Sequence, residues 1–125
     1  MKPYEVKNER KAGFPIDKIF IDRWSPRSLS PDLNEKELMI LFEAARWTPS
    51  SSNGQPWRFL YAKNNTKEWD IFYDLLGDFN KLWCKNAAYL IVLISRKKFE
   101  KDDKGEENLA PHHSFGAGSA WASLA

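Results

Sequence analysis

Residues 48–57 read TPSSSNGQPW, directly after the helix-like stretch EKELMILFEAARW at 35–47. The fold turns on this passage. Three consecutive serines, an Asn-Gly pair and two prolines are loop chemistry, because small hydroxyls and amides bond their own backbone and proline lacks an N–H. Pro49 stops the preceding helix by about Thr48, since the residue before a proline is pushed out of the helical region. Behind the loop, Leu38, Leu41, Phe42 and Ala45 recur at i, i+3, i+4 and i+7, an apolar stripe on one helix face. Asn34 stands as its N-cap, with Glu37 three residues on to complete a capping box. Ahead of the loop, Trp57, Phe59 and Tyr61 alternate with Arg58, Leu60 and Ala62, the period of a strand. The passage is a helix-to-strand turn with more polar groups than a turn needs.

The same logic extends outward. Lys63-Asn64-Asn65 reads as a turn, and Trp69, Phe72, Tyr73 and Leu76 form a second helical stripe that Gly77 ends. A shorter helix follows over 78–85. AAYLIVLIS, at 87–95, is near-continuously apolar and predicts a strand buried on both faces. RKKFEKDDKGEEN, at 96–108, predicts a solvated loop. Ser114 is placed to cap a last helix, FGAGSAWASLA. Toward the start, DRWSPRSLSPDL at 22–33 is loop, and Ile16, Ile19 and Phe20 have the spacing of one or two helical turns. Residues 1–14 form a polar arm with Gly13 near its end. Two strands among several helices make an α+β fold, divided as an arm over 1–15 and a domain over 16–125.

The 125 residues are 42% hydrophobic and 29% charged, enough for one globular domain with a core. The aromatic share is 14%, with six tryptophans, residues that fill cores and also line flat-ligand pockets. A net charge of +2, evenly mixed, argues against a nucleic-acid partner. Cys84 is the one cysteine, so no disulfide forms within the chain, which fits a reducing compartment. The opening MKPYEVKNERKAGF lacks the apolar segment of a secretory signal, and the longest apolar run, 87–94, is too short to span a bilayer. These features together place the protein in the cytoplasm, away from the membrane.

Two clusters carry chemistry. Arg23-Trp24-Ser25-Pro26-Arg27 puts two guanidinium groups and a hydroxyl within five residues; in an extended segment Arg23, Ser25 and Arg27 share one face and suit an anion. Alone, the same stretch better describes surface arginines in a loop. The second cluster, Pro49-Ser50-Ser51-Ser52-Asn53-Gly54-Gln55-Pro56-Trp57, offers hydroxyls, amides and backbone N–H groups to a polar ligand. It equally describes a turn bonded to itself. There is no G-x-S-x-G, C-x-x-C or Walker loop, and Gly116-Ala117-Gly118 lacks the third glycine of a dinucleotide fingerprint. His112 and His113 are adjacent and diverge in a helix or strand, which is poor geometry for a metal.

Taken together, DRWSPR, a helix ending EAARW, and TPSSSNGQPWRFLYA resemble the N-terminal half of the FMN-dependent nitroreductase family. The family pattern is Arg-x-Ser-x-Arg/Lys, a helix ending Glu-Ala-Ala/Gly, then Pro-Ser-x-x-Asn-x-Gln-Pro-Trp-x-Phe. The likeness continues through Asn80, seven residues before Ala87-Ala88, and through APHHSFGAGSAWASLA, which is similar to the start of the family's long central helix. The resemblance implies a mixed central sheet flanked by helices, with further strands supplied beyond this length of sequence.

It also implies a role for each matched residue. Arg23 and Ser25 would grip the FMN phosphate and ribityl chain, with Trp24 between them where many relatives carry a polar or basic residue. Arg27 would face the N1/O2 edge of the isoalloxazine, and Asn80 would hydrogen-bond the ring's polar edge. Pro49, Ser50, Ser51 and Asn53 would reach the flavin of the partner subunit in a homodimer, while Gln55 and Trp57 hold the loop to the first strand. The implied chemistry is ping-pong: NAD(P)H gives hydride to flavin N5 and leaves, and a nitroaromatic, quinone or similar acceptor then takes the electrons. No side-chain nucleophile is needed. Relatives run longer, and their remainder supplies further phosphate-binding basic residues and a Gly-rich segment beside the flavin. Two readings follow: an FMN-dependent homodimeric reductase, or a non-catalytic family remnant that binds flavin weakly or not at all.

Overall fold

The computed structural model describes residues 9–100 and 103–125, so most of the predicted polar arm and two residues of the charged run lie outside the described residues. A short helix α1 (Ile19–Asp22) leads through a loop to α2 (Glu35–Arg46). Asn34 starts α2 as its spacing predicts: its Oδ1 accepts from the Glu37 N–H at 3.0 Å, and the Glu37 carboxylate accepts from the Asn34 N–H at 3.0 Å. The serine loop follows, then β1 (Trp57–Lys63), α3 (Lys67–Asp74), α4 (Asp78–Cys84), β2 (Tyr89–Ser95) and α5 (His113–Leu124).

β1 and β2 pair antiparallel as a two-stranded sheet, from Trp57 opposite Ser95 to Lys63 opposite Tyr89. Residues opposite one another share a face. One face therefore presents Trp57, Phe59, Tyr61, Ile91 and Leu93, and it carries α2 and α5. Here Trp57 is buried against Ala45 of α2 and Ala120 of α5, and Phe42 of α2 stacks on Phe59 with ring centroids 5.1 Å apart. The other face presents Leu60, Ala62, Leu90 and Ile94, and α3 covers one end of it: Ala62 and Leu90 pack with Trp69, Phe72 and Tyr73.

Three expectations need correction. β2 is a strand, but none of its residues is fully buried, and Ile94 is exposed. The physical reason is coverage: α3 reaches only the Ala62–Leu90 end of the second face, so an all-apolar strand sits under a partial layer. Gly77 does not close α3, which stops at Asp74; it is instead the extended N-cap of α4. Ser114 does not cap the last helix. α5 begins at His113 with His112 as N-cap, and the Ser114 hydroxyl lies inside the first turn. The 96–108 run is largely exposed as expected, though tied across by a Lys98–Leu109 bridge and by Lys98 Nζ to the Glu107 carboxylate at 3.0 Å. No helix among the described residues is long and apolar enough to cross a membrane.

Candidate functional site

The serine loop folds on itself first. Ser50 O accepts from Asn53 N–H and Ser51 O from Gly54 N–H, each at 3.0 Å, closing a 3-10 turn over Ser51–Asn53. Ser50 Oγ accepts from Gln55 N–H at 2.9 Å, and Gln55 Nε2 donates to Asn53 Oδ1 at 3.0 Å. Much of the polar content that exceeded a turn's needs is spent holding an unusual backbone: Ser52, Asn53 and Gln55 all have positive φ, at 52°, 50° and 40°. Non-glycine residues pay for that conformation unless surroundings impose it, and such strain clusters at ligand-contacting loops.

Those surroundings are packed tightly. A Cβ on Gly54 would stand 2.5 Å from the Phe99 ring, and one on Gly116 of α5 would stand 3.0 Å from Pro56 Cγ. Pro56 O accepts from Arg96 N–H at 2.8 Å, which ties the loop's exit to the residue after β2. Arg58 donates to Gln55 O at 3.0 Å and to Trp57 O at 2.8 Å, and reaches the Glu100 carboxylate at 3.3 Å. At the entrance, buried Thr48 donates its hydroxyl to Ser123 Oγ at 2.8 Å. Gln-Pro-Trp thus anchors the loop between α5 and β1, and leaves Pro49, Ser51, Ser52 and Asn53 exposed.

The arginine cluster lies after α1. Arg23 is the C-cap of α1 and lines a cavity of about 440 Å³ with Ile19, Phe20, Ala122, Ser123 and Ala125. Arg27 sits over the Phe79 ring of α4, 5.1 Å from its centroid, and so belongs beside the helix that carries Asn80. Neither guanidinium has an ion-pair partner among the described residues. Arg23, Trp24, Ser25, Arg27 and Asn80 are all exposed.

The predicted residues do not gather in one place: Arg27 lies over Phe79 of α4, the helix that carries Asn80, and Arg23 stands at the end of α1 beside the C-terminal turn of α5. Pro49, Ser50 and Ser51 line a different cavity, of about 390 Å³, with His112, Phe115 and Ser119. Sequence reasoning weighed His112 only as a metal ligand and passed over Phe115. The signal available was their i, i+3 spacing at the head of a helix. Among the described residues no group of three His, Cys, Asp or Glu side chains is placed to hold a metal. Burial pushes the Cys84 thiol pKa up, the reverse of what an activated thiolate needs.

A family model, the nitroreductase family, matches residues 21–124. The chain belongs to the nitroreductase family. Its fold matches a crystal structure described as an oxidoreductase containing FMN, at 41% identity and a TM-score of 0.87, over 98% of this chain and 62% of that one. A Desulfovibrio desulfuricans protein crystallised in complex with FMN is similar at 21% identity and a TM-score of 0.58, over 78% of this chain and 52% of that one; at this identity the likeness shows the fold alone. In sequence, the chain is 26% identical over 94 residues to the major NAD(P)H-flavin oxidoreductase of Aliivibrio fischeri, covering 71% of this chain and 43% of that protein. The chain spans less than half the length of the curated relatives it matches, 43% and 38%.

Proposed function

We propose that this nitroreductase-family chain binds FMN and serves a flavin-dependent oxidoreductase, passing electrons from NAD(P)H to a nitroaromatic, quinone or similar small acceptor as a homodimer in the cytoplasm. The observation that carries the reading is that Arg23 and the Pro49–Ser50–Ser51 segment line different cavities, and that no Arg or Lys among the described residues lines the second. A second copy is the simplest way to bring the two together. The helices that bracket the loop favour this: Trp47 after α2, and Phe115 and Trp121 on α5, are 75%, 81% and 55% exposed. Aromatic surface on that scale belongs at an interface.

The residues present fit FMN. Arg23 and Arg27 are exposed and unpaired, so binding a phosphate or an electron-rich ring edge breaks no existing ion pair. Arg23 and Ser25 would hold the phosphate and ribityl chain, and Trp24 would lie against them. Arg27, steadied by Phe79, would set a fixed positive charge where the reduced ring gathers negative charge. Asn80 would bond the ring's polar edge. Pro49, Ser50, Ser51 and Asn53 of the second copy would wall the opposite side and exclude water. FMN, when bound, supplies the two-electron carrier; the protein positions and tunes.

The test is complementation. An Arg23→Ala/Arg27→Ala chain and a Ser51→Ala/Asn53→Ala chain are loaded with FMN, freed of excess and compared by visible absorbance and native mass. Each variant alone retains little flavin. Mixed and refolded together they recover it, because a mixed dimer has one site built from an intact cluster and an intact loop. A parent chain that retains flavin on a dimer, with no recovery on mixing, removes the shared site. A parent that retains no flavin removes the cofactor.

A further inference from the structure

Residues 53 and 54 are an Asn-Gly pair, and packing leaves the chain little choice of either. A Cβ on Gly54 would stand 2.5 Å from the Phe99 ring. Asn53 sits at φ 50°, a conformation that asparagine tolerates better than most residues with a side chain. The pair carries chemistry of its own. The backbone nitrogen after an asparagine can attack the side-chain carbonyl carbon, and glycine, with no Cβ, lets it approach most closely. Attack needs the amide to turn its Cγ onto that nitrogen, and the nitrogen to give up its proton. The structure ties both groups: Gly54 N–H donates to Ser51 O at 3.0 Å, and Asn53 Oδ1 accepts from Gln55 Nε2 at 3.0 Å. Asn53 is exposed, so water reaches it. No other asparagine in the sequence precedes a glycine.

We infer that Asn53–Gly54 is a site of spontaneous deamidation, and that the Gln55 side chain holds it slow. The Gly54 nitrogen bonds to Asn53 Cγ, the Cγ–Nδ2 bond breaks, and ammonia leaves with the proton that Gly54 loses. Water then opens the imide on either side. One opening gives aspartate; the other gives isoaspartate, in which the chain runs through Cβ and Cγ. Nothing is oxidised or reduced, and water is the one co-reactant. The product exchanges a neutral amide for a carboxylate on the exposed serine loop. In the proposed flavin site, that charge would stand against an anionic cofactor and weaken its retention. This last consequence rests on the proposed function; the deamidation does not, and the two are tested separately.

The full chain is aged in mildly alkaline buffer, folded or in urea, and cut with trypsin. Cleavage after Arg46 and Arg58 frees residues 47–58 as one peptide, in which Asn53 is the one asparagine. Mass and chromatography separate its amide, aspartate and isoaspartate forms. In urea, Asn53 deamidates faster than the other asparagines. In the fold it slows roughly tenfold to thirtyfold, the effect of two net hydrogen bonds. Gln55→Ala in the fold recovers roughly fivefold, the effect of one. Asn34→Ala, which weakens the fold at the other end of α2, stays near the parental rate. Equal rates with and without urea overturn the inference. So does a Gln55→Ala rate at or below the parent's, or one that Asn34→Ala matches. The ageing is repeated after FMN loading, and Asn53→Asp is compared with the parent for flavin retention. Flavin retained equally by both, with the ageing rate unchanged by FMN, takes Asn53 out of the flavin site and leaves the deamidation standing. Flavin retained by the parent and lost by Asn53→Asp, with no acceleration in urea, upholds the cofactor reading and defeats this inference alone.

Discussion

Gly116 is where the site and the fold can be pulled apart by one substitution. It is the fourth residue of α5, so alanine there should gain about 1 kcal/mol of helix propensity. Against that gain, its Cβ would meet Pro56 Cγ at 3.0 Å, Pro56 Cδ at 3.2 Å and Ser50 Cβ at 3.5 Å. A proline Cγ can shift a few tenths of an ångström by changing ring pucker, so Gly116→Ala lands within about 1 kcal/mol of the parent. Valine differs. It regains only about 0.4 kcal/mol over glycine in propensity, and its γ-methyls press further toward Pro56 and Ser50, an overpacking that costs about 1–3 kcal/mol. The net loss is about 0.5–2.5 kcal/mol. Pro56 has little room to retreat, because its carbonyl accepts from Arg96 and it precedes buried Trp57. The loop side yields instead, and Ser50 and Ser51 move away from α5. The assay pairs urea unfolding with FMN retention on the full chain. Gly116→Val should lose a modest part of its stability and most of its flavin, while Gly116→Ala keeps both. A valine variant with the parental midpoint and parental flavin retention would refute the claim that this close approach sets the loop.

Three further outcomes follow from the structure. Asn34→Ala removes the side-chain half of the capping box, keeps the backbone N–H that Glu37 accepts from, and should cost about 1 kcal/mol in urea unfolding, with Asn34→Gly costing less. Trp57→Ala opens the Ala45–Trp57–Ala120 cluster and should cost about 3–5 kcal/mol, read as a large drop in thermal midpoint; a drop no larger than the Asn34 variant's would mean the cluster is not the core. Hydrogen bonds from Arg46 and Trp47 hold the Glu43 carboxyl at about 2, below its ordinary 4.5. A depressed carboxylate stabilises the fold above the unfolded value, and that contribution fades as pH falls from 4.5 toward about 2. The parent's advantage over Glu43→Gln in urea midpoint should therefore be level above pH 4.5 and close below it. The advantage is small because the pair is exposed, and a gap that ignores pH in this window contradicts the assignment.

Where local chemistry decides structure, the sequence was sufficient. Asn34 and Glu37 bond each other three residues apart, and the Trp57–Phe59–Tyr61 alternation is a property of one strand. Where the answer depends on what lies across space, it was not. AAYLIVLIS reads as doubly buried because hydrophobicity measures the preference of a strand and not the area of the layer laid over it. Gly77 and Ser114 each sit near a helix end that a shift of a few residues reassigns, since caps are chosen by chain direction as much as by residue type. The candidate site shows the same division. The pattern proposes its residues but does not disclose that they lie at α4, at the end of α1 and along the serine loop. That sorting also supplies a reason for the loop's composition. In the proposed shared site, a wall for a ligand held mainly by another copy would have to keep its shape before the ligand arrives. Asn53 is exposed and yet held at φ 50°. The Ser50–Gln55 and Gln55–Asn53 bonds do that from inside the turn, and Pro56 and Trp57 fix the turn to α5 and β1. The serines and amides of 48–57 therefore serve preorganisation first, and the residues left facing outward are those free for the ligand contact proposed above.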